Sequence, residues 1–215
     1  MASAVEETRA GRLPLVGGIL ALDFTNTSSG RGCATHQDHI RRAEHLLLWA
    51  VHAGLFAEAD AERVRRRLAR DRGKAEELLA RALALREVLY RVGSAIAGGR
   101  EPDPRDLDGL RDDFRDLLAP ASLERFEDGR YDWRFPETSV TAFVLGPIVH
   151  SAVEMLRQGQ LERLKQCPGR DGDCGWLFYD RTKNASRRWC EMSVCGNRAK
   201  VRRHRERQFL AEEVG

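Results

Sequence analysis

Two cysteine pairs near the C-terminus constrain this chain more than any other feature. Cys167 and Cys174 are separated by six residues, Cys190 and Cys195 by four, and fifteen residues lie between the pairs. Zn²⁺ takes four thiolates in a tetrahedron, and a closed S4 set leaves no position for water, so such a site holds a fold together. A segment of this size has too few large apolar groups to fold on burial alone and needs a staple. Trp176, Leu177, Phe178 and Trp189 are the candidate mini-core around the metal. In a reducing compartment a cysteine cluster reads as a metal site before it reads as two disulfides. Four unliganded or redox-active thiols are the alternative, and His204 is a substitute ligand. The fifth cysteine, Cys33, is isolated and reads as an inert thiol.

Charge is distributed unevenly around that cluster. From Tyr179 to Gln208 ten Lys/Arg face three acids, a balance of +7, whereas the whole chain carries +3. The remainder is therefore net acidic, at −4. A basic module on an acidic body is the pattern expected when one end meets phosphates and the other does not. Arg198, Arg202 and Arg205 fall at i, i+4 and i+7, and Lys200, Arg203 and Arg207 form a neighbouring stripe. A helix over 194–208 would be basic almost all round. It suits a phosphate-lined groove, where each neutralised phosphate releases counterions; a solvated terminal helix is the alternative. Arg181, Lys183, Arg187 and Arg188 extend the basic surface.

The rest of the chain reads as mainly α with a small β-hairpin, an α+β class. The apolar run Gly17–Phe24 reads as a short strand ending in the loop 26–30. Helices are expected over 39–53, 59–70, 74–97, 104–118 and 139–157. The third is the clearest: Leu78, Ala82, Leu85, Leu89, Val92 and Ile96 recur every three or four residues and share one face. Asp128-Gly129 between two alternating runs predicts a hairpin whose apolar side holds Phe126, Tyr131, Trp133 and Phe135. Gly146-Pro147 is expected to kink or interrupt the last helix. A boundary near Leu161 divides a mostly helical domain, 1–160, from the metal module, 161–208.

Here the residues reach a known pattern. The run from Cys174 to Lys200 closely resembles the CGNR zinc finger, whose name is spelled at 195–198, and Gly17–Thr27 resembles the opening of the ABATE domain that usually precedes it. The resemblance implies that Cys167, Cys174, Cys190 and Cys195 bind Zn²⁺ in a bacterial, stress-related regulator of transcription. Its expected partner is DNA, with Arg181, Lys183, Arg187, Arg188, Arg198, Lys200, Arg202, Arg203 and Arg205 as candidate contacts. The N-terminal domain would sense an unidentified small-molecule ligand or form a homodimer. A zinc-scaffolded protein adaptor, an RNA binder and a thiol redox sensor remain as alternatives. Exposed Trp176 and Phe178 would favour RNA, because bases stack on them.

Several residues have expected local roles. Gly196 and Asn197 would turn backbone N–H groups toward a metal thiolate. Ser186 or Asn184 would cap a short helix leading to Cys190, and Asp180 would pair with Arg187 or Arg188. Asp23, His36 and His39 are a weaker metal or catalytic candidate. His150 reads as a core or pocket histidine, and Trp49, Trp133 and Phe143 as core or pocket lining. No phosphate-binding loop, nucleophile elbow or zinc-protease motif occurs, so no enzyme is expected. No uninterrupted apolar run approaches membrane-spanning length and the first twelve residues lack a secretory signal's apolar core, which points to a cytoplasmic protein without membrane contact.

Overall fold

The computed structural model describes residues 8–31, 33–169 and 173–202. Six α-helices carry the body: α1 (Leu20–Thr25), α2 (Ala43–His52), α3 (Glu58–Ala69), α4 (Arg72–Ala97), α5 (Pro104–Leu118) and α6 (Val140–Gln158). Three two-stranded antiparallel sheets join them: β1 (Ser28–Ser29) with β2 (Gln37–Asp38), β3 (Ser122–Arg125) with β4 (Tyr131–Arg134), and β5 (Leu164–Gln166) with β6 (Leu177–Tyr179).

The apolar run at 17–24 is a helix, not the strand expected. A short apolar run without periodicity is equally compatible with a buried helix, and Ala21, Leu22, Phe24 and Thr25 are all buried between α4, α6 and β6. Gly18 makes the entry turn at φ +74, a conformation costly for any side chain. α2 starts later than expected, at Ala43, because Arg42 stays extended and the Ile40 amide is held by Asp38.

α4 buries Leu78, Ala82, Leu85, Leu89 and Val92 as its periodicity predicts. α3 lies on the surface with a narrow buried stripe, Ala61, Val64 and Leu68. α6 runs through Pro147 without a break. By length and composition α6 could cross a membrane, with a mean hydropathy of 1.2 over 18 residues, although Thr141, His150, Ser151, Glu154 and Arg157 interrupt its apolar run. It serves instead as a core helix packed on α1, α4 and α5. The Phe135 ring lies against Gly146, where a Cβ would collide with it.

The β3–β4 hairpin forms with Leu123 opposite Trp133 and Gly129 at φ +85 in its turn. The single apolar side expected of it does not form: Tyr131, 66% exposed, shares a face with Trp133, whereas Phe126, 38% exposed, lies on the other face under the Arg134 guanidinium. Trp49 is fully buried with its ring 5.2 Å from Phe24, and Phe143 stacks on Phe56 at 4.8 Å. His150 is half-buried and stacks on Phe114. Two surface clefts, of about 760 and 420 Å³, flank α4; neither is lined by Trp49, Trp133 or Phe143.

Candidate metal centre

The β5–β6 hairpin delivers the first cysteine pair. Cys167 follows β5 and Cys174 precedes β6, and the two strands are tied at that end by Cys167 N–H to Trp176 O at 2.8 Å and Gly175 N–H to Cys167 O at 3.1 Å. Of the second pair, Cys190 precedes a π-helical turn, Met192–Gly196, and Cys195 lies within it; the Cys195 and Gly196 amides both donate to Glu191 O. The four sulfurs lie within 4.8 Å of one another. Cys174 and Cys190 are 3.6 Å apart, and Cys190 and Cys195 3.7 Å. A tetrahedral S4 site with metal–sulfur bonds of about 2.3 Å requires sulfur separations of about 3.8 Å. These thiols are free and spaced as ligands, not as disulfides.

Without a cation the four thiols share protons among themselves. Thiol hydrogen bonds from Cys174, Cys190 and Cys195 hold Cys167 well below the usual thiol range. Cys174 and Cys190 are pushed above it, first because each donates to the Cys167 sulfur. Four thiolates cannot share so small a volume without a positive centre. Cys167, Cys190 and Cys195 are buried, with the fully buried Phe178 beneath them and Val16, Trp176 and Trp189 packed around. Gly169 N–H points at the Cys167 sulfur at 3.4 Å, the type of outer contact that orients a thiolate ligand.

Leu177 corrects the expected mini-core: it packs with Leu22, Met155 and Leu164 of the body, not with the cysteines. Packing is thus continuous from the helices into β5 and β6.

Asp180 is the hub of the loop between the pairs and is fully buried. Its partner is Lys165, at 2.7 Å, rather than an arginine side chain. It also accepts from Thr182 N–H and Oγ1 and from the Arg187 amide at 2.7 Å. Burial alone would raise its pKa, but these donors more than offset it and hold the carboxyl well below its ordinary range. Lys165 Nζ also donates to Ala185 O and to Arg187 O. Ala185 sits at φ +46, a left-handed position that a non-glycine residue keeps only when neighbours impose it. No helix forms over 184–190, so neither Ser186 nor Asn184 is a cap; the Ser186 amide donates to Thr182 Oγ1.

The remaining candidates separate into groups. Arg187 faces inward: it donates to Val16 O, Trp189 O and Cys190 O, and its guanidinium lies 4.4 Å above the Phe178 ring. Arg181 reaches Gly18 O, and Arg188 lies over Trp189. Arg181, Lys183, Arg188, Arg198 and Lys200 are exposed, and Arg202 is half-buried. Residues 197–202 are helical. Arg203, His204, Arg205 and Arg207 lie outside the described residues. The Gly196 amide serves Glu191 O, not a thiolate, and the Asn197 side chain donates to Ser193 O.

Asp23, His36 and His39 do not converge. Asp23 accepts the Gly17 amide, His36 pairs with Ser28, and His39 with Ser29. Sequence reasoning missed Arg86, a buried cation held bidentately by Asp38 at 2.8 and 2.5 Å, and Asn26. The Asn26 side chain both donates to Leu177 O and accepts from Leu177 N–H, each at 2.9 Å, imitating a strand neighbour of β6. No sequence signal announces such long-range pairings.

No curated protein matches the chain. Residues 163–208 match the CGNR zinc finger, and residues 18–159 match ABATE, described as a putative stress-induced transcription regulator. With that second match spanning well over half of its length, the chain belongs to the ABATE family and ends in a CGNR zinc finger.

Proposed function

We propose that the four cysteines hold Zn²⁺ and that the clamped module binds duplex DNA, as a cytoplasmic, stress-linked regulator of transcription. A closed S4 zinc site supplies structure and leaves no coordination position for catalysis, so the reading is a binding protein and not an enzyme. The observation that carries it is the exposed basic surface beside the metal centre. Arg181, Lys183, Arg188, Arg198 and Lys200 face solvent, while the residues that fix the fold, Arg187 and Lys165, are turned inward. DNA is favoured over RNA because Phe178 is fully buried and offers no face for a base to stack on. The ABATE body would act as sensor or dimerisation unit.

Binding of the zinc-loaded chain to random duplex DNA across a salt series tests this. Neutralising about five phosphates gives a log–log slope near −4.5, so affinity falls roughly 500-fold from 50 to 200 mM salt. Arg198→Ala with Lys200→Ala should flatten the slope by about 2, and chelation should abolish binding. Absence of binding at low salt would refute the reading and favour a protein-interaction adaptor.

A further inference from the structure

The metal centre is not braced by its own module alone. The segment before α1 meets the edge of β6, with Tyr179 N–H donating to Gly17 O at 2.8 Å. On the same edge the Asn26 side chain closes both hydrogen bonds of Leu177. Gly30 N–H reaches Cys174 O at 3.3 Å, so a body loop touches the backbone of one ligand. Tyr90 of α4 accepts from Gln166 Nε2, and that amide also donates to Gly175 O beside the same ligand. At the opposite corner Arg187 grips Cys190 O and Val16 O with one guanidinium nitrogen, and the Phe178 ring supports it from below. Val16 itself packs against the cysteine cluster.

We propose that the ABATE body supplies the outer shell of the metal centre, with Arg187 as the positioning residue that joins Cys190 to the 16–18 segment. Body and clamp are then one cooperative unit. Metal binding tightens the docking of 16–18 and 28–31, and by reciprocity those contacts raise metal affinity. The N-terminal domain therefore reports the metal state of the finger through its own hydrogen bonds. The coupling rests on the metal reading of the four cysteines and does not depend on DNA binding.

The test uses the full chain, loaded with Zn²⁺ or stripped by a chelator, and follows amide hydrogen exchange in the body. Two amides are diagnostic: Gly17, held by Asp23 Oδ1 at 2.7 Å, and Gly30, held by Cys174 O. Removing Zn²⁺ should accelerate exchange at both by about tenfold or more, the scale on which outer-shell contacts act. Unchanged exchange at both overturns the coupling even if the finger itself melts. In competition with a chromophoric chelator, Arg187→Ala should weaken Zn²⁺ binding about 10–100-fold. Arg187→Lys should not restore it, since one ammonium cannot span three carbonyls and stack on Phe178. Asn26→Ala, remote from the sulfurs, should also weaken it; unaltered affinity in Arg187→Ala and Asn26→Ala overturns the assignment. A chain that takes up no Zn²⁺ refutes the metal reading itself, and the coupling with it.

Discussion

Replacing Lys165 by Met isolates the electrostatic hub of the finger. The ammonium serves Asp180 at 2.7 Å, Arg187 O at 3.0 Å and Ala185 O. Asp180 has no exposed surface, while the Lys165 side chain is 27% exposed. Without the lysine, the carboxylate keeps three short-range donors but no cation. Breaking a buried pair by removing one partner costs about 3–5 kcal/mol; partial exposure of Lys165 places the cost near the lower end, about 3 kcal/mol. Asp180→Asn should cost a similar amount, because it leaves the ammonium facing an amide. The double variant carries neither stranded charge, so its cost should fall short of the sum by about 2 kcal/mol. Denaturant unfolding at fixed free Zn²⁺ measures all three, since bound metal shifts apparent stability. The pH dependence supplies a second signature. A carboxyl held below its unfolded pKa stabilises the fold above that unfolded value, and the stabilisation fades as pH falls through the folded value. In Lys165→Met the folded carboxyl loses its cation and its pKa rises, so the gap to the parent should narrow in acid. A cost below about 1 kcal/mol at pH 7, or strict additivity of the two single variants, would refute the argument.

Asp23 behaves in the opposite sense. Burial raises its pKa from 3.8 to about 6, against the pull of the Gly17 amide and Arg187. Between those values the native state holds a proton that the unfolded chain has released, so stability declines as pH rises through that window, by up to about 3 kcal/mol. Asp23→Asn keeps an acceptor for Gly17 and should be more stable at pH 7, with a flatter profile from pH 4 to 6; thermal melts that parallel the parent across that range would exclude this. Gly146→Ala separates propensity from packing. Alanine favours a helix by about 1 kcal/mol, but its Cβ would meet the Phe135 ring, and overpacking costs about 1–3 kcal/mol. A net loss of stability, relieved by Phe135→Leu, is expected in urea titrations; a stabilised Gly146→Ala would show that the contact yields freely.

The local pattern made most of the helices legible, because each announces itself within its own residues. The stripe on α4 repeats at helical spacing, Pro104 and Asp103 open α5, and Asp128-Gly129 makes its turn without help from afar. The four cysteines were legible for the same reason: thiol chemistry and spacing leave few alternatives, and the sulfurs converge as the donor set requires. The 17–24 run was not legible, because strand or helix there depends on whether all sides are covered, and α4, α6 and β6 cover them. Basic residues were countable but not assignable. Arg187 and Arg188 are adjacent and chemically identical, yet one is spent on three carbonyls and an aromatic face while the other faces solvent. Lys165 carries no local signal of its role, which arises only where Asp180, fifteen residues on, meets it in the interior. Composition, periodicity and ligand chemistry are properties of neighbouring residues, so the sequence by itself determined the longer helices, the turn at Asp128-Gly129 and the cysteine cluster. Which charges are structural, and how the body grips the finger, depend on groups up to 171 residues apart, such as Arg187 and Val16. Only the tertiary structure decides them, because only there do desolvation and carbonyl geometry select one arginine over its neighbour.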